Sequence, residues 1–257
     1  KAYYELKKSY NMSNEEIANR IGKSRSTISN MIRLLNFNKS NEGKIIIKAL
    51  KELQTSIDAV EKTVKKMING SIDALNTRNI DLSNKIIDMD DIVDKYKDEI
   101  EAKAIFLIAS EQPVAGDLRK IITIMRVIME LERMADYAEG IAKINIRIGD
   151  VVLIKPLIDI PKMAERSIEM LSLCLKGYRE LDVKIADKVC DMDDEMDALK
   201  DRIINELMQI SMKDPSTSRQ ATFLIFIAHN LERIADRSTN IAEDTIFLVT
   251  GSSRELD

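Results

Sequence analysis

Hydrophobic positions recur at helical spacing along most of this chain. Apolar residues return every three or four positions in six long segments: 45–75, 82–109, 114–148, 157–175, 185–212 and 221–249. Proline or turn residues interrupt the pattern between them, at 76–79, 112–113, 149–161, 177–182 and 214–215. The pattern therefore predicts an all-α protein whose main body contains six long helices.

The composition agrees with a folded helical protein. The chain is 45% hydrophobic and 32% charged, and its 257 residues include only 8 glycines and 4 prolines. The longest uncharged apolar run, 221–231, is too short to span a bilayer, and the visible N-terminus has no signal-peptide layout. We therefore expect a cytoplasmic protein without a membrane span. Cys174 and Cys190 lack CxxC spacing, so we expect reduced thiols.

Charge is divided unevenly along the chain. Residues 1–38 contain seven basic and three acidic side chains, a balance of +4, whereas the whole chain has a net charge of −4. Residues 39–257 therefore have a net charge of −8. A basic head on an acidic body indicates two functional units, and the head has the charge to contact an anionic polymer.

The head has the sequence of a helix-turn-helix. Ser13 and Glu16 form a capping box at the start of one helix, Gly22 ends that helix, and Ser24 can cap a second helix that continues to about residue 35. In this motif the N-terminal residues of the second helix enter the DNA major groove. The side chains there that can donate to phosphates or base edges are Arg25, Ser26, Thr27, Ser29 and Asn30.

The run 11–37 closely resembles the helix-turn-helix of ParB-type partition proteins. This resemblance implies DNA binding by the head. The alternative is a helical hairpin with a solvated basic face. Because a single recognition helix buries little surface, we expect DNA binding to be weak and indifferent to sequence.

The body contains an internal duplication. LERMAD at 131–136 returns as LERIAD at 231–236, and DMDDIVD at 88–94 returns as DMDDEMD at 191–197. The offsets are 232 − 132 = 100 and 193 − 90 = 103 residues, so the repeated unit has the size of a small domain. With three helices in each copy, we predict two tandem three-helix bundles, at 40–149 and 150–251, after the helix-turn-helix segment at 1–38.

The acidic repeats are predicted to meet across helical hairpins. The turns at 112–113 and 214–215 are short, so the helices that they join should be antiparallel. Asp94 lies 18 residues before Gln112 and Glu132 lies 20 after it, so at a rise of about 1.5 Å per residue the two are within about 3 Å in height. The same count gives two clusters, Asp90, Asp94, Glu132 and Asp136 in the first copy and Asp193, Asp197, Glu232 and Asp236 in the second.

Clustered carboxylates need cations or water. Two unit charges about 5 Å apart repel by roughly 3 kcal/mol at an effective dielectric constant of about 20. Oxygen ligands suit Mg, Mn or Ca, and bundle sites also hold Fe, while Zn accepts carboxylates as well. Ion pairing is the alternative, and spacing alone leaves it open. The arginines that would then neutralise the acids are Arg119, Arg133, Arg219 and Arg233.

Three segments carry a resemblance to a known family. QPVAGDLRKI at 112–121, LERMADYAEGIAK at 131–143 and NLERIADRSTNIAEDTIFLVTG at 230–251 resemble the PhoU family of phosphate-response regulators, over about residues 40–257. The resemblance implies two symmetry-related bundles, with multinuclear metal clusters at the eight carboxylates. One departure is Arg237, where the family commonly has histidine; a fixed cation there could weaken or replace metal in the second cluster.

The resemblance also implies a function. Family members accompany the Pst phosphate transporter, contact its ATPase subunit and a phosphate-sensing histidine kinase, and restrain uptake and signalling when phosphate is plentiful. We therefore expect a non-enzymatic, homodimeric negative regulator that reaches the inner face of the membrane through its partners. Two alternatives remain. One is a carboxylate-bridged metalloenzyme, although such sites usually use Glu-x-x-His ligands and this chain has a single histidine, His229. The other is a DNA-binding regulator that acts through the head.

Overall fold

The computed structural model describes residues 12–29 and 41–251, with side chains described from residue 44 onward in the second range. Both ranges are helical and neither contains a strand, so the predicted all-α class is confirmed. Residues 25–29 form a helical segment after α1. The helices are α1 (Asn14–Ile21), α2 (Asn41–Thr77), α3 (Ile80–Glu111), α4 (Ala115–Ile148), α5 (Asp159–Glu180), α6 (Val183–Asp191), α7 (Asp193–Lys213) and α8 (Ser218–Thr250).

The two bundles repeat the same backbone plan. Helices α2, α3 and α4 form the first bundle, and α5, α6 with α7, and α8 form the second. The first connection of each bundle passes through a residue in the left-handed region, Arg78 or Leu181, and each has a φ of 54°. These positions differ by 181 − 78 = 103, the same offset as that of the acidic repeats. The duplication therefore extends to the geometry of the turns.

Two predicted helix boundaries within the second bundle were wrong. The segment 185–212 is two helices, because the chain breaks at Met192, where α6 ends and α7 begins. The new N-terminus places Asp193, Asp194 and Glu195 in the first turn of α7, where the helix dipole stabilises negative charge. Pro161 was predicted to end the interruption at 149–161, which overlapped the helical segment 157–175; it lies in the first turn of α5, where no backbone N–H is needed for the helix.

Helix α5 also continues through Gly177, which was predicted to interrupt it. A side chain at this position would come within 3.3 Å of Ile185 Cγ2 in α6. The glycine therefore permits the close approach of the two helices, since a side chain there would need Ile185 to shift, and the turn follows only at Leu181.

The central helices α4 and α8 contribute about half of the buried residues of the main core. They pack against each other as well as against the other helices of their own bundles. A single buried hydrophobic cluster extends from Leu53 in α2 to Ile246 in α8. Alanines on both central helices have no exposed surface, and they allow the two axes to lie close together: Ala135, Ala138, Ala142, Ala228, Ala235 and Ala242. The two repeats thus share one core.

The head has a small core of its own. Ile17 and Ile28 are fully buried and pack with Ala18. The predicted capping box is present, since the backbone N–H of Glu16 donates to Ser13 Oγ at 3.2 Å and that of Ser13 donates to Glu16 Oε2 at 2.7 Å. Gly22 ends α1 with a φ of 67°. The predicted second helix can be followed only to residue 29; its remainder, including Asn30, lies outside the described residues.

Candidate functional site

The first acidic cluster lies between antiparallel helices α3 and α4. Asp90 is on α3, facing Asp136 on α4, and burial together with the charges of Glu139, Asp136 and Asp94 raises the pKa of Asp90 to about 7. Burial and the charges of Glu132, Asp94 and Glu139 also raise the pKa of Asp136. The hairpin therefore brings the four predicted carboxylates together. Glu139, one turn beyond Asp136, is a fifth carboxylate that the sequence analysis missed.

One oxygen of this cluster has no hydrogen-bond partner. Asp90 Oδ1 is buried and accepts no hydrogen bond from any residue in the described ranges. A buried carboxylate oxygen without a donor is costly, and this cost adds to the repulsion from the neighbouring carboxylates. The oxygen is thus available to a cation or a proton.

Each cluster contains a lysine that the sequence analysis missed. Lys97 Nζ lies 2.6 Å from Glu132 Oε1 in the first cluster. In the second, Lys200 Nζ lies 2.6 Å from Asp197 Oδ1 and 2.9 Å from Glu232 Oε1. Each lysine follows its acidic pair by three residues, and 200 − 97 = 103. The repeat offset was therefore the signal that could have identified both.

The second cluster has more internal cations. Burial and the charges of Asp236, Asp197, Glu232 and Asp194 raise the pKa of Asp193 to about 6. Arg233 donates to Glu232 and to Asp236, at 2.7 and 2.8 Å, in addition to the contacts of Lys200. His229 lies at the edge, with Nδ1 3.6 Å from Glu232 Oε2 and half of its side chain exposed. Two cations, Lys200 and Arg233, thus already pair with carboxylates of the second cluster.

The ion-pair alternative holds at one of its four arginines, Arg233. Arg133 pairs instead with Glu130, at 3.3 Å. Arg119 and Arg219 lie over the rings of Phe247 and Phe223. Both are 13 residues before the glutamate of their motif, about 20 Å along the helix, which is too far for an ion pair.

Arg237 links the two repeats. Its Nη1 lies 3.4 Å from Glu130 Oε2 on α4, and Asn240 Nδ2 donates to the same oxygen at 3.1 Å. Burial raises the pKa of Asp236, and the charge of Arg237 partly opposes that rise. The guanidinium that pairs directly with the carboxylates of the second cluster belongs to Arg233.

The donor atoms are not arranged around a cation-sized gap. Among residues 12–29 and 41–251, no group of three or more histidine, cysteine, aspartate or glutamate side chains could hold a metal ion as placed. In the first cluster the donors are nevertheless all oxygens, and Asp90 Oδ1 is unpartnered. This set fits a hard cation in its chemistry. A cation held by Glu132 Oε1 would compete with Lys97 Nζ, which lies 2.6 Å from that oxygen.

Both repeats match the family model described as "PhoU domain", over residues 57–144 and 160–245. The chain belongs to the PhoU family. A PhoU homolog of Clostridium acetobutylicum, named a phosphate-specific transport system accessory protein, is 37% identical over 83% of this chain and 98% of the relative. The corresponding protein of Aquifex aeolicus is 36% identical over 80% of this chain and 93% of the relative.

Solved PhoU structures have the same fold. The crystal structure of PhoU from Pseudomonas aeruginosa superposes with a TM-score of 0.76 and 26% identity, covering 80% of this chain and 99% of that one. The phosphate transport system regulatory protein PhoU from Streptococcus pneumoniae gives a TM-score of 0.75 and 27% identity, covering 82% and 99%. The two tandem bundles predicted from the sequence are therefore confirmed as the PhoU fold.

This PhoU-family chain carries an additional N-terminal segment. Residues 1–56 match the family model "ParB HTH domain", which extends beyond the similarity recognised at 11–37. The N-terminal part of the chain is therefore similar to the ParB-type helix-turn-helix, and the two PhoU domains follow it.

The predicted DNA-contacting side chains differ in how free they are. Arg25 is exposed and only loosely paired, with Nη1 3.9 Å from Glu15 Oε2. The hydroxyls of Ser26 and Thr27 share hydrogen bonds with Ser24 Oγ at 2.7 and 2.8 Å. Ser29 Oγ accepts a hydrogen bond of 2.8 Å from Asn14 Nδ2. Ser29 therefore joins the two helical segments of the motif, and the side chain of Arg25 is 73% exposed.

Proposed function

We propose that this protein is a non-enzymatic regulator that restrains phosphate uptake and phosphate-starvation signalling. It acts through contacts with the ATPase subunit of a Pst-type transporter and with a sensor histidine kinase. The observation that carries this proposal is the match of both repeats to PhoU domains, together with the near-complete coverage of relatives named phosphate-specific transport system accessory proteins. No observation favours the bundle metalloenzyme, since His229 is bound to the edge of a carboxylate cluster that already contains two cations.

Exposed apolar side chains support a role in protein contacts. Ile105 and Phe106 on α3 are 59% and 70% exposed, and Met208 and Met212 on α7 are 48% and 76% exposed. Ile105 and Met208 are equivalent under the offset of 103, so both bundles present an apolar surface near the closed end of the hairpin. None of the helices in the described ranges is long and apolar enough to cross a membrane. We propose that the protein reaches the inner face of the membrane through its partners, as a cytoplasmic homodimer.

A pair of deletions tests this regulatory role. Removal of residues 40–257 should raise phosphate uptake and starvation-gene expression in phosphate-rich medium. Removal of residues 1–38 alone should leave phosphate uptake and starvation-gene expression low, because the PhoU body is retained. Unchanged uptake and expression in the body deletion would contradict the proposed regulatory role.

We further propose that the acidic clusters bind hard metal ions, with Asp90, Asp94, Glu132 and Asp136 as the firmer set. A bound cation would stabilise the charged form of these carboxylates, which burial and mutual repulsion disfavour. Support comes from the raised pKa of Asp90 and from its unpartnered oxygen. The second set, Asp193, Asp197, Glu232 and Asp236, should bind more weakly because Arg233 and Lys200 already pair with it. Iron, manganese, magnesium and zinc are the candidate metals.

Matched double variants test metal binding. Elemental analysis of protein purified without chelator should find metal, and Glu132→Gln with Asp136→Asn should reduce it strongly. The equivalent pair, Glu232→Gln with Asp236→Asn, should reduce it less. Equally low metal in the wild type and both variants under metal-replete conditions would favour the ion-pair alternative.

A second candidate function, DNA binding by the head, is favoured by the match to the ParB helix-turn-helix and by the exposed Arg25. We propose weak, salt-sensitive binding, with dissociation constants of about 1 μM or higher. Arg25→Ala should weaken it in a fluorescence-anisotropy titration at physiological salt. Lys62→Ala, an exposed cation on the body, should not. Nanomolar affinity for one sequence over a scrambled duplex would instead make the protein a specific DNA-binding regulator.

A further inference from the structure

A cleft lies at the end of the molecule where α4 ends and α8 begins. Its volume is about 360 Å³, and its lining includes Arg147 and Ile148 of α4, Val151 and Ile154 of the following loop, and Arg219 and Phe223 of α8. Of the described residues that line it, none is acidic. The cleft is distinct from both carboxylate clusters, and it combines two cations with apolar walls.

The two arginines are held on one aromatic ring. The guanidinium carbon of Arg147 lies 4.9 Å from the centroid of Phe223, and that of Arg219 lies 5.7 Å from it. Phe223 itself is only 8% exposed and belongs to the main core, whereas Arg147 and Arg219 are exposed. A cation–π contact uses the face of a guanidinium and leaves its in-plane N–H donors free. Neither arginine forms an ion pair within residues 12–29 and 41–251.

The opposite end of the α4–α8 pair provides an internal comparison. There Arg119 and Arg126 lie over the ring of Phe247, at 5.8 and 5.3 Å. Arg126 is neutralised by Asp244 at 2.8 Å, and Arg119 Nη1 lies 3.5 Å from the carbonyl oxygen of Leu248. At the Phe247 end the two arginines thus have partners within the protein. At the Phe223 end, Arg147 and Arg219 form no ion pair among the described residues.

The loop that closes the cleft is anchored. Gln220 Oε1 accepts a hydrogen bond of 2.5 Å from the backbone N–H of Ile154, and Gln220 Nε2 donates to the carbonyl of Val152 at 3.2 Å. These bonds fix the loop, and with it Ile154, on the first turn of α8. The apolar wall is therefore already in position opposite the arginines.

We propose that this cleft binds the phosphate group of a small phosphorylated molecule. The two guanidiniums that line the cleft present planar N–H donors that match phosphate oxygens, and their two charges suit the two negative charges of a phosphate monoester. The cleft is several times larger than the roughly 30 Å³ that a water molecule occupies, which leaves room for an organic group against Ile148, Val151 and Ile154. A phosphate monoester therefore fits better than free phosphate. The site does not depend on the proposed regulation of uptake.

Calorimetric titration of the full chain tests the site. The protein is treated with chelator, so that metal-bound phosphate does not contribute, and is titrated with AMP and separately with inorganic phosphate at physiological salt. We expect AMP to bind with a dissociation constant below about 1 mM. Arg147→Gln and Arg219→Gln should each weaken binding about tenfold or more, because each removes a charge-assisted donor pair. Arg119→Gln, the counterpart at the opposite end, should leave it unchanged.

The two probes distinguish the source of the phosphate group. Tighter binding of AMP indicates a monoester whose organic part contacts the apolar wall. Equal or tighter binding of inorganic phosphate that is lost in Arg219→Gln indicates free phosphate at the same arginines. Circular dichroism and a thermal melt verify that each variant folds. Absence of heat with both probes, or unchanged affinity in folded Arg147→Gln and Arg219→Gln, would overturn the site. The uptake phenotype of the body deletion does not bear on this result.

Discussion

At the scale of single residues, the acidic clusters combine repulsion with built-in neutralisation. Asp90 and Asp193 are the carboxyls whose pKa is raised furthest, to about 7 and about 6. Lys97 and Lys200 oppose this repulsion from equivalent positions, through Glu132 and Glu232. The charge state of each cluster therefore depends on proton, lysine and metal together.

Asp90 should make the stability of the metal-free protein depend on pH. Its pKa rises from 3.8 to about 7 on folding, so its contribution is fully present below 3.8 and is lost as the pH rises through 7. Asp90→Asn should therefore unfold less readily than wild type at about pH 8, by about 1 kcal/mol or more, with a smaller gain at about pH 5. Urea unfolding in the presence of chelator measures this difference.

Asp98→Asn is the matched control, because Asp98 lies on an exposed position of the same helix. It should change stability equally little at both pH values. A gain from Asp90→Asn that is independent of pH would contradict the raised pKa as its cause.

Lys97 should compete with metal for the first cluster. Its ammonium group lies 2.6 Å from Glu132 Oε1, so its charge opposes a cation bound at that carboxylate. We expect Lys97→Gln to bind Mn²⁺ about tenfold more tightly than wild type in equilibrium dialysis, since one unit of opposing charge is removed. Lys95→Gln, an exposed neighbour, should have little effect. Equal or weaker binding by Lys97→Gln would mean that the lysine does not occupy the metal position.

At the scale of helices, the hairpins are defined by their turns. Arg78 and Leu181 take left-handed backbone conformations, and each is followed by a helix-capping side chain, Asn79 or Asp182. Both caps accept a backbone hydrogen bond, of 2.9 Å in each case. A left-handed conformation is costly for a residue with a side chain, so these turns are positions of local strain.

Glycine should relieve this strain at the turns. Leu181 has φ 54° and ψ 39° at the end of α5. We expect Leu181→Gly to be more stable than Leu181→Ala by about 1 kcal/mol, because both variants lack the leucine side chain and only alanine retains the left-handed penalty. Thermal or urea unfolding measures the difference. Arg78→Gly and Arg78→Ala should repeat it, and an alanine variant as stable as its glycine partner would argue against strain.

At the scale of the whole molecule, the repeats form one packed unit. The central helices α4 and α8 contribute to a common hydrophobic cluster. Polar contacts reinforce the junction, through Arg126 with Asp244 at 2.8 Å and through Glu130 with Arg237 and Asn240. Neither repeat completes its core without the other.

The shared core should couple the unfolding of the two repeats. Leu131 and Leu231 have no exposed surface and occupy equivalent positions of the duplicated motif. We expect Leu131→Ala and Leu231→Ala each to shift one common urea transition, with a loss of about 2–5 kcal/mol. Met212→Ala, at a side chain that is 76% exposed, should shift it little. Two separated transitions, with only one displaced in each variant, would show that the repeats unfold independently.

The sequence by itself determined most of the helical segments, the duplication, and which acidic residues lie at the same level along two antiparallel helices. These features depend on periodicity, on repeat offsets and on counting from a short turn, all of which can be obtained from the order of residues without knowing how the helices pack. The head was predicted on the same basis, and its capping box and Gly22 cap are present. The offset of 103 would also have identified Lys97 and Lys200.

Only the tertiary structure decided which side chains meet. The rotation of each helix about its axis is set by packing, so sequence spacing did not reveal that Arg237 contacts Glu130 or that Arg119 lies over Phe247. The break at Met192, between α6 and α7, was likewise visible only in the structure. The cleft formed by Arg147 and Arg219 depends on the packing of α4 against α8, because these residues are 219 − 147 = 72 positions apart and belong to different repeats.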